Sequence, residues 1–169
     1  NNNKYLNAYF QKYENIWHHG DYCEKTINNG YIIYGRSDAT LNAGGVRIGT
    51  SEIYRVVENI DKIIECVAVE HNLYTDTEVI LFVKLNLNNS LDNKLIENIK
   101  LEIRTNLSPK HIPSKIFEVS DIPKTKSGKI VELSIKNIIN GMEIENENAL
   151  ANPDCLKEYQ SIYNLLKEN

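Results

Sequence analysis

The residues best suited to chemistry in this sequence lie in a short basic stretch, DIPKTKSGKI, at residues 121–130. It places three lysines, Lys124, Lys126 and Lys129, between two segments with the apolar content of packed structure. A lysine ammonium is a compact positive charge on a long stem, suited to negative charge that develops during a reaction. Most lysine-rich turns are solvated connections, so the function of this stretch, here called the lysine loop, depends on its context.

Common phosphate-binding and metal-binding motifs do not explain the lysine loop. The string TKSGKI lacks the spacing of a P-loop, and GGVRIG lacks the GxGxxG of a dinucleotide site. Adjacent His18 and His19 would point to opposite faces of a strand and could not easily share one metal ion. Cys23, Cys66 and Cys155 have no CxxC spacing, so we expect no metal site, no disulfide framework and reduced thiols in the cytoplasm.

Composition favours a globular protein that binds small anions or other proteins. Of the 169 residues, 41% are hydrophobic and 25% are charged, with a mean hydropathy of −0.42. No apolar run approaches the roughly 20 residues of a membrane helix. The formal net charge of −4 argues against a nucleic-acid surface, where basic residues would cluster on one face. We therefore expect neither a membrane nor a nucleic acid as partner.

Two β-hairpins are predicted in the first third of the chain. Residues 16–36 alternate apolar or aromatic positions with turn residues, and Asn29-Gly30 is a strong hairpin signal. A hairpin alone buries little surface, so this one should belong to a larger sheet. The string ATLNAGGVRIG, residues 39–49, predicts a second hairpin that turns at its glycine pair.

Periodicity predicts helices and further strands in the rest of the chain. Thr50 or Ser51 can cap the first helix, Pro109 ends the second and Gly141 ends the third. Their apolar faces are Ile53, Val56, Val57 and Ile60; Leu95, Ile99, Ile103 and Leu107; and Val131, Ile135, Ile138 and Ile139. Strands are predicted at 63–71, 78–86 and 114–119, and a terminal helix at 155–169. From Asp38 to Gly141 we expect an α+β domain, with helices packed on a short, mainly antiparallel sheet.

Three stretches in a fixed order carry a family resemblance: WHHGD at 17–21, GRSDATLNAGGVRIGTSEIY at 35–54, and the lysine loop. Together they resemble the final segments of the adenylate-forming acyl-CoA synthetases, the family that includes acetyl-CoA synthetase and luciferase. Within that family, YLNAYF and ALANPDCLKEY look most like the branch that activates acetoacetate. The resemblance covers nearly the whole chain. The Asn-Asn-Asn start and the single methionine, Met142, also suggest a piece of a longer polypeptide.

The resemblance implies a division of the chain and an activity. Residues 1–37 would end a large N-terminal adenylation domain, 38–141 would form a mobile C-terminal lid domain, and 142–169 would be a C-terminal extension. The activity implied is that of an ATP-dependent acid–thiol ligase in ketone-body and lipid metabolism. It would use ATP, with Mg²⁺, to make an acyl-AMP, and would then transfer the acyl group to coenzyme A. The partner of this piece would be its own N-terminal domain, and the isolated chain should be inactive.

The resemblance also implies a role for one lysine and one aspartate. Lys129 matches the family's catalytic lysine, which would stabilise charge that develops between the substrate carboxylate and the α-phosphate. Lys124 and Lys126 would then be solvated neighbours. Asp38 matches the hinge about which the small domain swings between the two half-reactions.

The remaining matches concern the two nucleotides. They are Asp21 and Arg36 at the ribose, Arg47 at the ATP phosphates, Gly44 and Gly45 along the pantetheine path, and Arg104 near the coenzyme A nucleotide. Each also has an ordinary explanation: a turn carboxylate, a surface ion pair, an exposed strand arginine, turn glycines with positive φ and a solvated helix cation. One departure is His19, which stands where many relatives have threonine and could alter nucleotide contacts.

A second hypothesis, from a different class, stays open. The chain could be an independent α+β module that binds a nucleotide or a protein without catalysis, with the lysine loop as an ordinary turn that tolerates anions. RNA binding is disfavoured, because basic residues are not interleaved with aromatic ones. An upstream α/β domain with a Gly/Ser/Thr-rich phosphate loop would favour the enzyme.

Overall fold

The computed structural model describes residues 2–43, 45–144 and 147–168. The fold is α+β, as predicted. Its elements are α1 (Asn2–Tyr9), β1 (Asp21–Lys25), β2 (Tyr31–Arg36), β3 (Leu41–Ala43), β4 (Val46–Ile48), α2 (Thr50–Val57), β5 (Ile63–Asn72), β6 (Thr77–Leu85), α3 (Asn93–Asn106), β7 (Lys115–Glu118), α4 (Glu132–Ile139) and α5 (Leu156–Lys167). Short 3₁₀ turns lie at Pro109–His111, Glu147–Ala149 and Pro153–Cys155.

A three-stranded sheet in the order β5-β6-β7 forms the centre of the fold. β5 and β6 pair antiparallel, with Cys66 opposite Val83, whereas β7 runs parallel to β6 with Leu81 opposite Ile116. The predicted strands are therefore confirmed, with one parallel pair.

The core covers both faces of this sheet. A strand buried on both faces is a nearly continuous apolar run, as in VILFV of β6. One face packs against α2, α3 and the second hairpin and includes Val79, Leu81, Val83, Ile53, Val57, Leu95, Ile99, Ile103, Leu41 and Ile48. The other face packs against α4 and α5 and includes Ile80, Phe82, Ile135, Ile139, Leu156 and Tyr159. The terminal helix predicted at 155–169 is thus confirmed, and it packs on this second face.

α3 ends before Pro109 and α4 ends before Gly141, as predicted. Asp92 caps α3, because its Oδ1 accepts a hydrogen bond from the Leu95 N–H at 2.7 Å. Gly141, with φ +68°, follows the end of α4. The predicted cap of α2 was wrong: Gly49 is the N-cap residue, and Glu52 Oε1 accepts its N–H at 3.1 Å. The glycine supplies an extended backbone, and the side chain three residues later supplies the acceptor.

Both predicted hairpins form, as separate two-stranded sheets in the described part of the chain. Asn29 adopts φ +59° in the first turn. Because β1 begins only at Asp21, His18 and His19 precede the strand and do not lie on its opposite faces. Sequence periodicity missed α1. None of the helices in the described ranges has the length and apolar composition that a membrane crossing needs.

Candidate functional site

The base of the first hairpin brings Asp21, Arg36 and Asp38 together. The antiparallel register of β1 and β2 places Asp21 opposite Arg36. The Arg36 guanidinium donates two hydrogen bonds to the Asp38 carboxylate, from Nε at 3.1 Å and from Nη2 at 2.8 Å. Its Nη1 donates to the His19 carbonyl oxygen at 3.4 Å. The fold therefore assembles both predicted ribose residues and the predicted hinge residue in one cluster.

The ion pair within this cluster is partly solvated. The hydrogen bonds from Arg36 hold the pKa of Asp38 below its ordinary value, and the same bonds raise the pKa of Arg36. The two side chains are 51% and 40% exposed, so the pair adds little to stability. It does tie the end of β2 to the segment that follows, and a rotation at Asp38 must carry the pair along or break it.

A cavity of about 460 Å³ adjoins the cluster on the side of α1. Its lining includes Tyr9, Lys12, His18, Arg36 and Asp38. Beside it, His19 Nδ1 donates to Asp21 Oδ2 at 2.5 Å. That bond engages one carboxylate oxygen of Asp21.

Arg47 also lies next to this cluster. Its guanidinium carbon lies 4.8 Å from the centroid of the Tyr22 ring, a cation–π distance. Tyr22 directly follows Asp21 on β1, while Arg47 comes from β4. The three residues predicted to bind ATP therefore lie on two adjoining hairpins.

Gly45 has the conformation that its predicted place in the turn requires. Its φ is +76°, a left-handed conformation that side chains with a Cβ rarely adopt. Among the described residues other than its chain neighbours, no atom lies within 4 Å of the position that a Cβ would occupy, so the turn borders open space. Gly44 lies outside the described residues.

The lysine loop is closed by its own hydrogen bonds. The Thr125 N–H donates to the Lys129 carbonyl at 2.8 Å, the Gly128 N–H donates to the Thr125 carbonyl at 2.8 Å, and the Lys129 N–H donates to Thr125 Oγ1 at 3.1 Å. Lys126 and Lys129 are exposed at this turn. Within the described residues the Lys129 ammonium has neither a hydrogen-bond partner nor an ion-pair partner, which leaves it available to a ligand.

Lys124 differs from its neighbours, and its predicted role as a solvated lysine was wrong. Its Nζ donates to both carboxylate oxygens of Glu65, at 2.6 and 2.7 Å, and its side chain is only 27% exposed. Because Glu65 lies on β5, this ion pair fastens the start of the loop to the central sheet.

Arg104 stands apart from the other predicted binding residues. It is exposed in the last turn of α3, beside a depression of about 270 Å³ that is also lined by Lys100, Leu101 and Ile112. No hydrogen bond or ion pair among the described residues links Arg104 to the second hairpin, β3–β4. Its role at coenzyme A stays a prediction.

A half-buried carboxyl group close to Asp38, that of Glu132, was not predicted from the sequence. The Tyr54 hydroxyl donates to Glu132 Oε1 at 2.5 Å and accepts the Ala68 N–H at 3.2 Å. Burial raises the pKa of Glu132, and the nearby Asp38 carboxylate raises it further. A glutamate at a helix start resembles an ordinary first-turn acid, so the sequence carried no signal for this site.

The chain is similar in sequence and in structure to known proteins. Residues 52–129 match the AMP-binding enzyme C-terminal domain family. The chain is 47% identical over 162 residues to acetoacetyl-coenzyme A synthetase of Rhizobium meliloti (strain 1021), and 43% identical over 164 residues to acetoacetyl-CoA synthetase of Gallus gallus. The structure of acetoacetyl-CoA synthetase from Streptomyces lividans superposes with a TM-score of 0.87 at 36% identity, covering 96% of this chain and 25% of that one.

Residues 52–129 are therefore similar to the C-terminal domain of the AMP-binding enzymes. This confirms the predicted family resemblance. Within the family the chain is similar to acetoacetyl-CoA synthetases over 96% of its length, and it spans about 25% of the two relatives compared.

Proposed function

We propose that this chain is the C-terminal part of a cytoplasmic acetoacetate–CoA ligase that forms AMP, and that it supplies the catalytic lysine, the hinge and the coenzyme A hairpin. The observation that carries the proposal is the continuous similarity to acetoacetyl-CoA synthetases over 96% of the chain. The acyl pocket and the partner surface would lie in the remaining three quarters of the ligase. Ile27, Tyr31 and Ile33, exposed on the first hairpin, suit contact with that larger part.

In the first half-reaction the acetoacetate carboxylate attacks the α-phosphorus of ATP. The new O–P bond forms as the bond to pyrophosphate breaks, which gives acetoacetyl-AMP. Lys129 would stabilise the negative charge that develops at the α-phosphate, since its ammonium has no competing partner among the described residues. Asp21 would accept hydrogen bonds from the ribose through the carboxylate oxygen that His19 leaves open.

To donate a hydrogen bond to the ribose, Arg36 would have to release Asp38 or use its third nitrogen, Nη1. Two of its nitrogens donate to Asp38, and Nη1 makes only a long contact of 3.4 Å with the His19 carbonyl. Arg47, held over Tyr22, would meet the ATP phosphates from the neighbouring hairpin.

In the second half-reaction the coenzyme A thiol, as thiolate, attacks the acyl carbonyl. The C–S bond forms and the bond from the acyl carbon to the AMP oxygen breaks, which releases AMP. Rotation about Asp38 would replace the lysine loop with the hairpin turn at Gly44 and Gly45, where the missing side chains admit the pantetheine arm.

Mg²⁺ does not fit the residues that the structure describes. Within the described ranges no group of three or more His, Cys, Asp or Glu side chains is placed to hold a metal ion. We propose that the ion accompanies ATP and that its protein ligands lie in the rest of the ligase.

The test separates the two half-reactions in the full-length ligase. We expect Lys129→Ala to slow acetoacetate-dependent ATP–pyrophosphate exchange by about 10²–10³-fold, because a preorganised charge is lost in the transition state. Thioester formation from preformed acetoacetyl-AMP and coenzyme A should stay near the normal rate. Lys126→Ala, which removes the exposed neighbour, should leave both rates unchanged.

Two results would contradict the proposal. Equal loss of both half-reactions in a folded Lys129→Ala protein would exclude a rotation about Asp38 that presents different faces of the domain to the nucleotide in the two half-reactions. Normal rates of both would make the loop an ordinary solvated turn and would remove Lys129 from the catalytic machinery.

A further inference from the structure

The lysine loop is held by a segment from the far end of the chain. Residues 150–152, here called the tail clamp, run beside it as an additional strand-like segment. Leu150 forms a bridge with Thr125, and the Ala151 N–H donates to the Lys124 carbonyl oxygen at 2.8 Å. Lys124 in turn bridges Ile130 across the loop.

Asn152 completes the clamp with both ends of its side-chain amide. Its Oδ1 accepts the Lys124 N–H at 2.9 Å, while Nδ2 donates to Asp121 Oδ2 at 2.5 Å and to the Ile122 carbonyl at 2.8 Å. One half-buried side chain therefore fixes the backbone over residues 121–124. The hydrogen bonds from Lys84 and Asn152 hold the pKa of Asp121 below its ordinary value, although partial burial would raise it.

The clamp is itself anchored in the core. Leu150 and Leu156 are buried in the cluster beneath α4 and α5, at 7% and 5% exposure. The hydroxyl of Tyr159, which is fully buried, donates to the Asp121 carbonyl at 3.0 Å. The start of the loop is thus fixed to packed structure from two sides, by the tail clamp and by the Lys124–Glu65 ion pair on β5.

We infer that the tail clamp sets the position of Lys129 for the first half-reaction, with Asn152 as a positioning residue. This rests on the proposed function of Lys129. A long lysine stem is flexible, so its reach is defined only if the backbone beneath it is fixed. A displacement of about 1 Å at a reacting group can cost on the order of 10²-fold in rate.

The experiment compares variants of the full-length ligase. Asn152→Ala should lower kcat of ATP–pyrophosphate exchange by about 10-fold or more, with KM for ATP unchanged and thioester formation from acetoacetyl-AMP unchanged. The matched control is Asn164→Ala, at an exposed position on α5, which should behave as wild type. Hydrogen exchange measured by mass spectrometry should speed up in the peptide over 121–130 and stay constant over α3.

A second variant guards against misfolding. Ala151→Pro, at an exposed position, removes the N–H that donates to the Lys124 carbonyl and fixes φ at residue 151, but leaves Asn152 in place, and should show the same kinetic pattern with a smaller loss. Its expected effect is a fall in exchange kcat without a change in KM.

The outcomes distinguish a failure of the tail-clamp inference from a failure of the proposed role of Lys129. If Lys129→Ala cripples exchange while Asn152→Ala and Ala151→Pro match wild type, the clamp has no positioning role. If the clamp variants slow both half-reactions equally, their role is structural only, and the inference is also overturned. If Lys129→Ala itself has no effect, the proposed function fails first.

Discussion

At the scale of single residues, Glu132 is the group whose environment departs most from its sequence context. Its carboxyl accepts the Tyr54 hydroxyl and also interacts with Thr50, and the charged groups that face it are Asp38 and Arg36. Burial is the main reason that its pKa is raised. Glu132 begins α4, shortly after the lysine loop, so its charge state bears on the region between that loop and Asp38.

We predict that Glu132→Gln removes a pH-dependent loss of stability. Because the folded-state pKa is raised, the native state holds a proton that the unfolded chain releases at lower pH. The free energy of unfolding of wild type should therefore fall as pH rises from the ordinary glutamate pKa through the raised one. A neutral glutamine, which can still accept from Tyr54, should lack this fall and should be the more stable variant above that range.

Urea unfolding of this chain at a series of pH values measures the effect. The control is Glu97→Gln, where the side chain is 77% exposed, and its pH profile should follow that of wild type. Asp38, with a lowered pKa, has the opposite sign and loses its stabilising contribution as pH falls through its folded-state pKa. Parallel profiles for wild type and Glu132→Gln would contradict the prediction.

At the scale of elements, the second hairpin, β3–β4, allows the effect of backbone strain at Gly45 to be separated from the effect of side-chain volume. Any residue with a Cβ at Gly45 is strained by about 1–2 kcal/mol, because φ is +76°. The surrounding space is open, so alanine and leucine should lose similar stability. In the full-length ligase, Gly45→Leu should block thioester formation, whereas Gly45→Ala should reduce it only modestly.

The measurement compares coenzyme A-dependent product formation with pyrophosphate exchange for both variants. Exchange should stay near normal in each, because Arg47 on β4 is unchanged and the turn itself would line the coenzyme A path only after rotation. An equal loss of both activities in Gly45→Leu would indicate a folding defect and would contradict a coenzyme A path at this turn.

Elements with a strong local signal could be predicted from sequence, and those held by distant contacts could not. α3 carries its cap at Asp92 and a regular apolar face, and β5 and β6 are continuous apolar runs. α1 has no comparable buried stripe: Tyr5 and Leu6 are about half exposed, and its contacts are aromatic, such as Tyr9 with Trp17 at 5.5 Å. Periodicity therefore gave no reason to expect it.

The same limit applies to the candidate site. The turn at Gly45 and the exposure of Lys129 followed from local residue types. The anchoring of Lys124 did not, because its partner Glu65 lies 59 residues away in sequence, and Asn152 lies 28 residues from the backbone that it holds. Contacts of this kind are set by how α4, α5 and the sheet pack, which no local pattern records.

At the scale of the whole molecule, the two-faced sheet joins the lysine loop and the tail into one packed unit. α5 shares a hydrophobic cluster with α4 and with the outer face of β5 and β6, around a fully buried Tyr159. The segment 142–169, assigned by resemblance to an extension, therefore contributes to the core beside the lysine loop. Movement of the loop as a rigid part of the lid would carry the tail with it.

Without the rest of the ligase, this packed unit should not catalyse the reaction. Catalysis needs the acetoacetate carboxylate and the α-phosphate held together in near-attack geometry, an advantage equivalent to effective molarities of about 10⁵–10⁸ M. The chain offers an exposed Lys129 and a partly solvated cluster at Asp21 and Arg36, which approach a nucleotide from one side only. With ATP, acetoacetate and coenzyme A, we expect this chain to release pyrophosphate at least ~10⁵-fold more slowly than the full-length ligase, while circular dichroism shows it folded. Adding the separately produced upstream part should restore some turnover in proportion to its concentration, because the lid would then meet its partner by association. Robust turnover by the 169-residue chain alone would mean that the acyl site lies within it, and would contradict the proposal that this site lies in the rest of the ligase.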